Sequence, residues 1–176
     1  MISTISAHLA WHDLPLKTDG QSIANPYIYL KVNGEDTKGC LDELVFAITT
    51  YPIDRKFIFT CTCGVAGCAG WFDGIKVKVR RNTVEWTVLD PSESRGMTIG
   101  RFHSFNRAQY ESVQRQVLEF CKEIAEYRAT NPGAEFDYST PLRATTVEEL
   151  EQEVNSYKSF NERHPPDLLS YTGKCV

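Results

Sequence analysis

Three sulfurs fall within eight residues at Cys61-Thr62-Cys63-Gly64-Val65-Ala66-Gly67-Cys68. Thiols this close could bind a metal, cycle through a disulfide, or fill a buried corner. The preceding run, Phe57-Ile58-Phe59-Thr60, reads as a strand whose alternation sets Phe57, Phe59, Cys61 and Cys63 on one face. Gly64 and Gly67 then permit a reversal that returns Cys68 toward the other two thiols. Structural zinc takes four Cys or His ligands, and C-x-C-x4-C supplies three. His103 or Cys40 could be the fourth, but the spacing selects neither. A Cys61–Cys63 disulfide would be strained, since side chains two apart on a strand sit roughly 6.5–7 Å apart. Cys63–Cys68 across the turn is easier. With the ligand set incomplete, the expected state is buried free thiols and no bound cofactor. A zinc- or thiol-dependent module built on Cys61, Cys63 and Cys68 is the alternative.

The histidines give a weaker possibility. His8 and His12, four apart on a strand, share a face beside Asp13, and His103 would complete a pair of imidazoles of the kind a ribonuclease uses. No nucleophile or lysine is singled out by position, so ordinary strand histidines are the commoner reading. His164 has no evident partner. The chain contains no P-loop, dinucleotide fingerprint, HExxH or G-x-S-x-G. The expectation is therefore a protein without a catalytic site.

Charge points to binding instead. The whole net charge of −4 lies in residues 106–176, which hold 8 basic and 12 acidic residues. Glu148, Glu149, Glu151 and Glu153 crowd one helical stretch, preceded by Glu135 and Asp137. Neighbouring carboxylates on a helix repel by a few tenths of a kcal/mol per pair, a cost that attraction to a basic protein would offset. Proximity to the positive helix N-terminus accounts for part of the pattern without any partner. Lys76, Lys78, Arg80 and Arg81 make a basic stripe near Trp71 and Phe72, a possible nucleic-acid platform. The acidic balance and Glu85 argue against it.

The elements that must position these groups follow from periodicity. Ser3 to Asp13 alternates Ile5, Ala7, Leu9 and Trp11 against Ser6, His8, Ala10 and His12, a strand. A loop is expected from Leu14 to Pro26, then a strand from Tyr27 to Val32 and a turn at Asn33-Gly34. Leu41, Leu44, Val45 and Ile48 keep helical spacing up to Pro52, with Asp42 and Glu43 near the helix start. Around a loop at Arg81-Asn82, Val79 faces Val84, Val77 faces Trp86, Ile75 faces Val88, and Lys78 faces Glu85. Asn82 there tolerates positive φ. A long helix spans residues 106–129, capped by Asn106 with Gln109 three on and stapled by Phe105 and Tyr110. Its stripe is Tyr110, Val113, Val117, Phe120, Cys121 and Ile124. A second helix over 146–159 buries Val147, Leu150 and Val154, and residues from about 161 form an irregular tail.

Strands first and the best helices last fit one α+β domain over residues 1–176, a largely antiparallel sheet with helices on one face. No apolar run approaches the roughly 18 residues of a membrane span. The start lacks a signal-peptide pattern, and six unevenly spread cysteines suit a reducing, cytoplasmic setting.

The C-x-C-G-x-x-x-C turn, the Trp-bearing hairpin and Phe105-Asn106-Arg107-Ala108-Gln109-Tyr110 together resemble a family of small uncharacterised bacterial proteins. In that family Asp usually stands where this chain has Asn106, and either residue caps a helix. The resemblance covers about residues 28–125 and implies the architecture and a bacterial origin, with no established activity. Taken together, the leading expectation is a non-enzymatic acidic binding protein. Its most concrete form is an immunity protein that neutralises a basic toxin nuclease.

Overall fold

The computed structural model describes residues 1–15, 22–37, 40–47, 49–50, 55–60, 66, 71, 73–89, 100–131, 148–149, 151–152, 154–156 and 159. These form antiparallel sheets with helices, the expected α+β class. Instead of one sheet, the described strands make three ladders, of three, two and four strands.

The first ladder pairs β1 (Ile5–Pro15) with β2 (Ser22–Val32), and β2 with the short β3 (Glu35–Asp36). The described parts of the loop expected from Leu14 to Pro26, residues 14–15 and 22–26, are therefore strand. Pro26 is tolerated because of where its nitrogen points. Asn33 N donates to Thr4 O at 3.0 Å, so Thr4, Ser6, His8 and Ala10 turn their backbone groups toward β2. Pro26 stands opposite Trp11, in the other class of pair, and its missing N–H leaves the β1–β2 ladder intact. Asn33 and Gly34, at φ 53° and 83°, make the tight turn into β3. Ile5, Ala7, Ile28, Leu30 and Val32 are buried, as alternation requires.

Of the strand expected through Phe57–Thr60 only Phe59–Thr60 forms, and the residues just before it pair elsewhere. β5 (Arg55–Lys56) joins β7 (Ile75–Val79), whereas β6 (Phe59–Thr60) joins β4 (Cys40–Leu41). Ile58, Phe59 and Thr60 are all buried, so alternation fails where the chain crosses between ladders. Gly74, at φ 70°, permits the close approach to β5, since a Cβ there would lie 2.8 Å from Lys56 O.

The hairpin of β7 with β8 (Thr83–Val88) has the expected register throughout: Ile75 with Val88, Val77 with Trp86, Lys78 with Glu85, Val79 with Val84. Two details differ. Glu85 pairs with Arg80 at 2.7 Å, and Asn82 does not adopt positive φ. A further strand, β9 (Phe102–Asn106), completes the ladder beside β8, and Ser3 N donates to Ser104 O at 2.7 Å.

α1 (Glu43–Ala47) is shorter than the 41–51 helix expected, and Leu41 belongs to β4. Asp42 is its cap, accepting from Val45 N at 2.9 Å. α2 (Arg107–Thr130) is capped by Asn106, which accepts from Gln109 N at 3.1 Å. Phe105 and Tyr110 pack at 5.6 Å as the staple. Phe120 lies half-buried at the margin, and Gln114, Ala125 and Arg128 join the buried face.

Gln114 is inside because it closes a polar network. Its Nε2 lies 2.8 Å from Phe46 O, 3.0 Å from Thr49 Oγ1 and 3.1 Å from Ala47 O, so its two N–H groups are shared among three acceptors that include carbonyls at the end of α1. Thr49 Oγ1 donates to Phe46 O, which leaves the Tyr110 hydroxyl to donate to Thr49 at 2.7 Å. Trp86 Nε1 in turn donates to Tyr110 Oη at 3.1 Å. Tyr110→Phe strands the Trp86 N–H in the core and is expected to cost about 1–3 kcal/mol. A urea midpoint that moves by less than about 0.5 kcal/mol equivalent at constant m would show that the network contributes no stability.

Candidate functional site

β1 sits at the end of its ladder, and α2 lies beside it. Because Thr4, Ser6, His8 and Ala10 bond to β2, the backbone groups of Ile5, Ala7, Leu9 and Trp11 point the other way. Ile5 O meets Gln109 Nε2 at 3.5 Å, and Ser3 is held by β9. Beyond them, the outward backbone groups of Ala7, Leu9 and Trp11 have no hydrogen-bond partner among the described residues. A groove of about 550 Å³ runs along this edge. Ala7, Leu9 and Trp11 form one wall, Gln116, Phe120 and Glu123 of α2 the other, and Ser6, His8 and Tyr29 its rim. Trp11 stands edge-on to Tyr127 at 4.9 Å and is 38% exposed.

His8 hydrogen-bonds Ser6 Oγ through Nε2 at 3.0 Å and stacks on Tyr29 at 5.2 Å, and Tyr29 stacks on Tyr27 at 5.6 Å. A hydroxyl touching an imidazole is half of a nucleophile–base arrangement. Among the described residues no carboxylate hydrogen-bonds His8, so the orienting third group is missing. His103 is buried elsewhere: its Nδ1 lies 3.3 Å from Ser3 Oγ, its ring stacks on Phe105, and burial holds its pKa below the usual imidazole range. The two histidines thus have separate partners and do not share a site. The side chain of His12, like His164, lies outside the described residues.

A second set of ionisable groups is buried around the start of α1. Glu43 is 2% exposed, and its Oε2 has no hydrogen-bond partner among the described residues. Burial pushes its carboxyl up to about 8, against the opposing effects of its own backbone N–H and of Arg128. Burial also raises Asp42 to about 6, partly offset by the Val45 N–H it accepts. The buried Cys121 thiol is pushed well above its ordinary value, and half-buried Cys40 is raised by burial and then by Glu43. These thiols are protonated and poor nucleophiles.

The acidic residues singled out by sequence fall in part within the described set. Glu148, Glu149 and Glu151 are helical and exposed, with Val154 buried on the same stretch. Glu153, Glu135 and Asp137 lie outside the described residues, as do Cys61, Cys63, Cys68 and Phe72. Trp71 does not serve as an exposed platform. It is 3% exposed and packs on Phe59 at 5.5 Å, with its backbone N–H donating to Ala66 O at 3.0 Å. Lys78, Arg80 and Arg81 are exposed.

A second acidic stripe escaped the sequence reading. Glu119, Glu123 and Glu126 are all exposed on α2 at helical spacing. Glu119 pairs with Lys122 at 3.0 Å, while Glu123 and Glu126 have no ion pair among the described residues. Their i, i+4, i+7 spacing was available in the chain, but only the position of β1 puts one of them, Glu123, in the wall of a groove. Among the described residues no helix is long and apolar enough to cross a membrane. Comparisons with protein-family models, with curated proteins and with solved structures gave no match to this chain.

Proposed function

We propose that this chain is a non-enzymatic binding protein that presents carboxylates to a basic protein. In its most concrete form it is a bacterial immunity protein, acting in the cytoplasm, that neutralises a basic toxin nuclease domain. The observation that carries the reading is the exposure of Glu148, Glu149 and Glu151 on a helical stretch whose other side is anchored by Val154. Glu123 and Glu126, without an ion pair among the described residues, extend the same sign of charge to α2. Exposed carboxylates held at fixed positions steer a basic partner and raise its association rate.

The test begins with an affinity pull-down from the native cell and identification of the captured protein by mass spectrometry. Association with that purified partner is then timed for the wild type and for a variant with Glu148, Glu149, Glu151 and Glu153 reversed to Lys. At low salt the variant is expected to associate about tenfold more slowly or worse, with the gap closing as salt is added. Its thermal melt is expected to match the wild type. An equal rate beside an equal melt would sink the reading.

A further inference from the structure

We propose that the open edge of β1 takes an extended segment of a partner protein as an added strand, with apolar side chains at alternate positions and a basic one facing Glu123. This rests on the reading of a basic partner and adds where and how that partner docks.

Three features converge on it. The first is the backbone. Ala7, Leu9 and Trp11 turn N–H and C=O groups away from β2 in the every-second-residue pattern that a neighbouring strand satisfies; Ala7 is buried at the groove's inner end, and part-exposed Leu9 and exposed Trp11 are the positions within reach. The second is that, among the described residues, the edge beyond the start held by β9 and Gln109 carries little protection. Exposed edges are ordinarily blunted by lysine, proline, a bulge, a short strand or a covering helix, and α2 stands across a groove from β1 and does not close over it. β1 runs for 11 residues in unbroken register, and Ser6-Ala7-His8-Leu9-Ala10-Trp11 contains neither lysine nor proline. The third is the opposite wall. Phe120 and Leu9 are half-buried and Trp11 is part-exposed, which suits apolar side chains on the α2 side of the added strand. Glu123 borders the groove without an ion pair among the described residues, and Glu126 follows it on the same stripe. That wall favours a cation.

A second copy of this chain fits less well. Two β1 edges joined antiparallel about a dyad would set both α2 helices on the same face, with Glu123 of each bordering the shared groove. Like charges at an interface act against pairing.

The experiment uses the full chain and two synthetic peptides, one alternating valine with lysine and threonine, the other with glutamate in place of lysine. Fluorescence anisotropy gives affinity, and NMR-detected amide exchange reports the edge. The lysine peptide is expected to bind about tenfold or more tightly than its twin and to slow exchange at the Leu9 and Trp11 amides. Leu9→Pro removes an edge N–H that β2 does not use and is expected to abolish binding. Glu123→Lys, which is exposed and leaves the fold alone, is expected to reverse the preference between the peptides even if the proline variant does not fold. No binding, binding without protection of those amides, or an unchanged preference in Glu123→Lys would overturn the proposal. So would a concentration-dependent dimer that protects the same amides, which would assign the edge to a second copy. Loss of the edge alone leaves the rate test on Glu148–Glu153 untouched, and the reverse also holds.

Discussion

Trp86→Ala is expected to lower the unfolding free energy by about 3–5 kcal/mol, the range for truncating a fully buried large aromatic. Trp86 is 0% exposed and meets Phe105 at 5.0 Å, Tyr110 at 5.9 Å and Phe59 at 6.3 Å, all edge-to-face. Truncation opens a cavity that β8 cannot close, because its backbone is paired with β7 and β9 on both sides. It also takes away the N–H that Tyr110 Oη accepts. At about 2–4 °C per kcal/mol for a chain of this size, the melting temperature should fall by about 6–20 °C. Trp86→Phe keeps most of the ring contacts and loses the donor, so it should fall between wild type and Trp86→Ala. Guanidinium melts followed by far-UV circular dichroism provide the measurement. A loss under about 1 kcal/mol would mean that Trp86 is not the centre of the aromatic core.

Stability is expected to decrease as pH rises from about 5 to 8, and Glu43 should account for much of the slope. Its carboxyl titrates near 4.5 when unfolded and at about 8 when folded. Between those values the folded chain holds a proton that the unfolded chain has lost. Raising pH therefore favours unfolding, by up to about 1.4 kcal/mol per pH unit for each such group. The contribution is fully present below about pH 4.5 and lost as pH passes about 8. Asp42, raised to about 6, acts in the same direction over a narrower window. Glu43→Gln keeps the shape without the charge. It should change stability little near pH 5 and add on the order of a few kcal/mol near pH 8. Urea midpoints from pH 5 to 8 for both proteins decide it. Parallel curves would show that Glu43 is ionised and paired in the folded state.

What the sequence made legible was local. The β7–β8 register could be read because every inward pair is apolar and Lys78 matches Glu85 across the strands. The start of α2 was equally plain, since cap and staple chemistry involve only residues a few positions apart. Long-range decisions were not legible. Nothing near Phe57 announces that Lys56 joins one ladder and Phe59 another. Gln114 looks like a surface residue until Phe46 O and Thr49, more than sixty positions away, come to meet it. Glu43 reads as a favourable charge at a helix start, and only tertiary packing turns it into a buried acid. The candidate site is of this second kind. Periodicity shows that β1 is a strand, but which of its edges stays open depends on where α2 and β9 lie.

The bond from Ser3 to Ser104 also sets a timetable for synthesis. β1 and β2 can pair as soon as they emerge, yet Ser3 is held by β9 and the apolar face of Ile5, Ala7, Ile28 and Leu30 packs with α2, both encoded about a hundred codons later. At about 5–20 residues per second, translation leaves that face uncovered for roughly 5–20 s. During this interval the nascent chain is a hydrophobic hairpin with an unguarded edge, attractive to holdase chaperones and to neighbouring copies on a polysome. Ribosome-stalled chains ending before residue 102 should be captured by a holdase and cut rapidly by protease. Chains long enough to expose all of α2 should resist both.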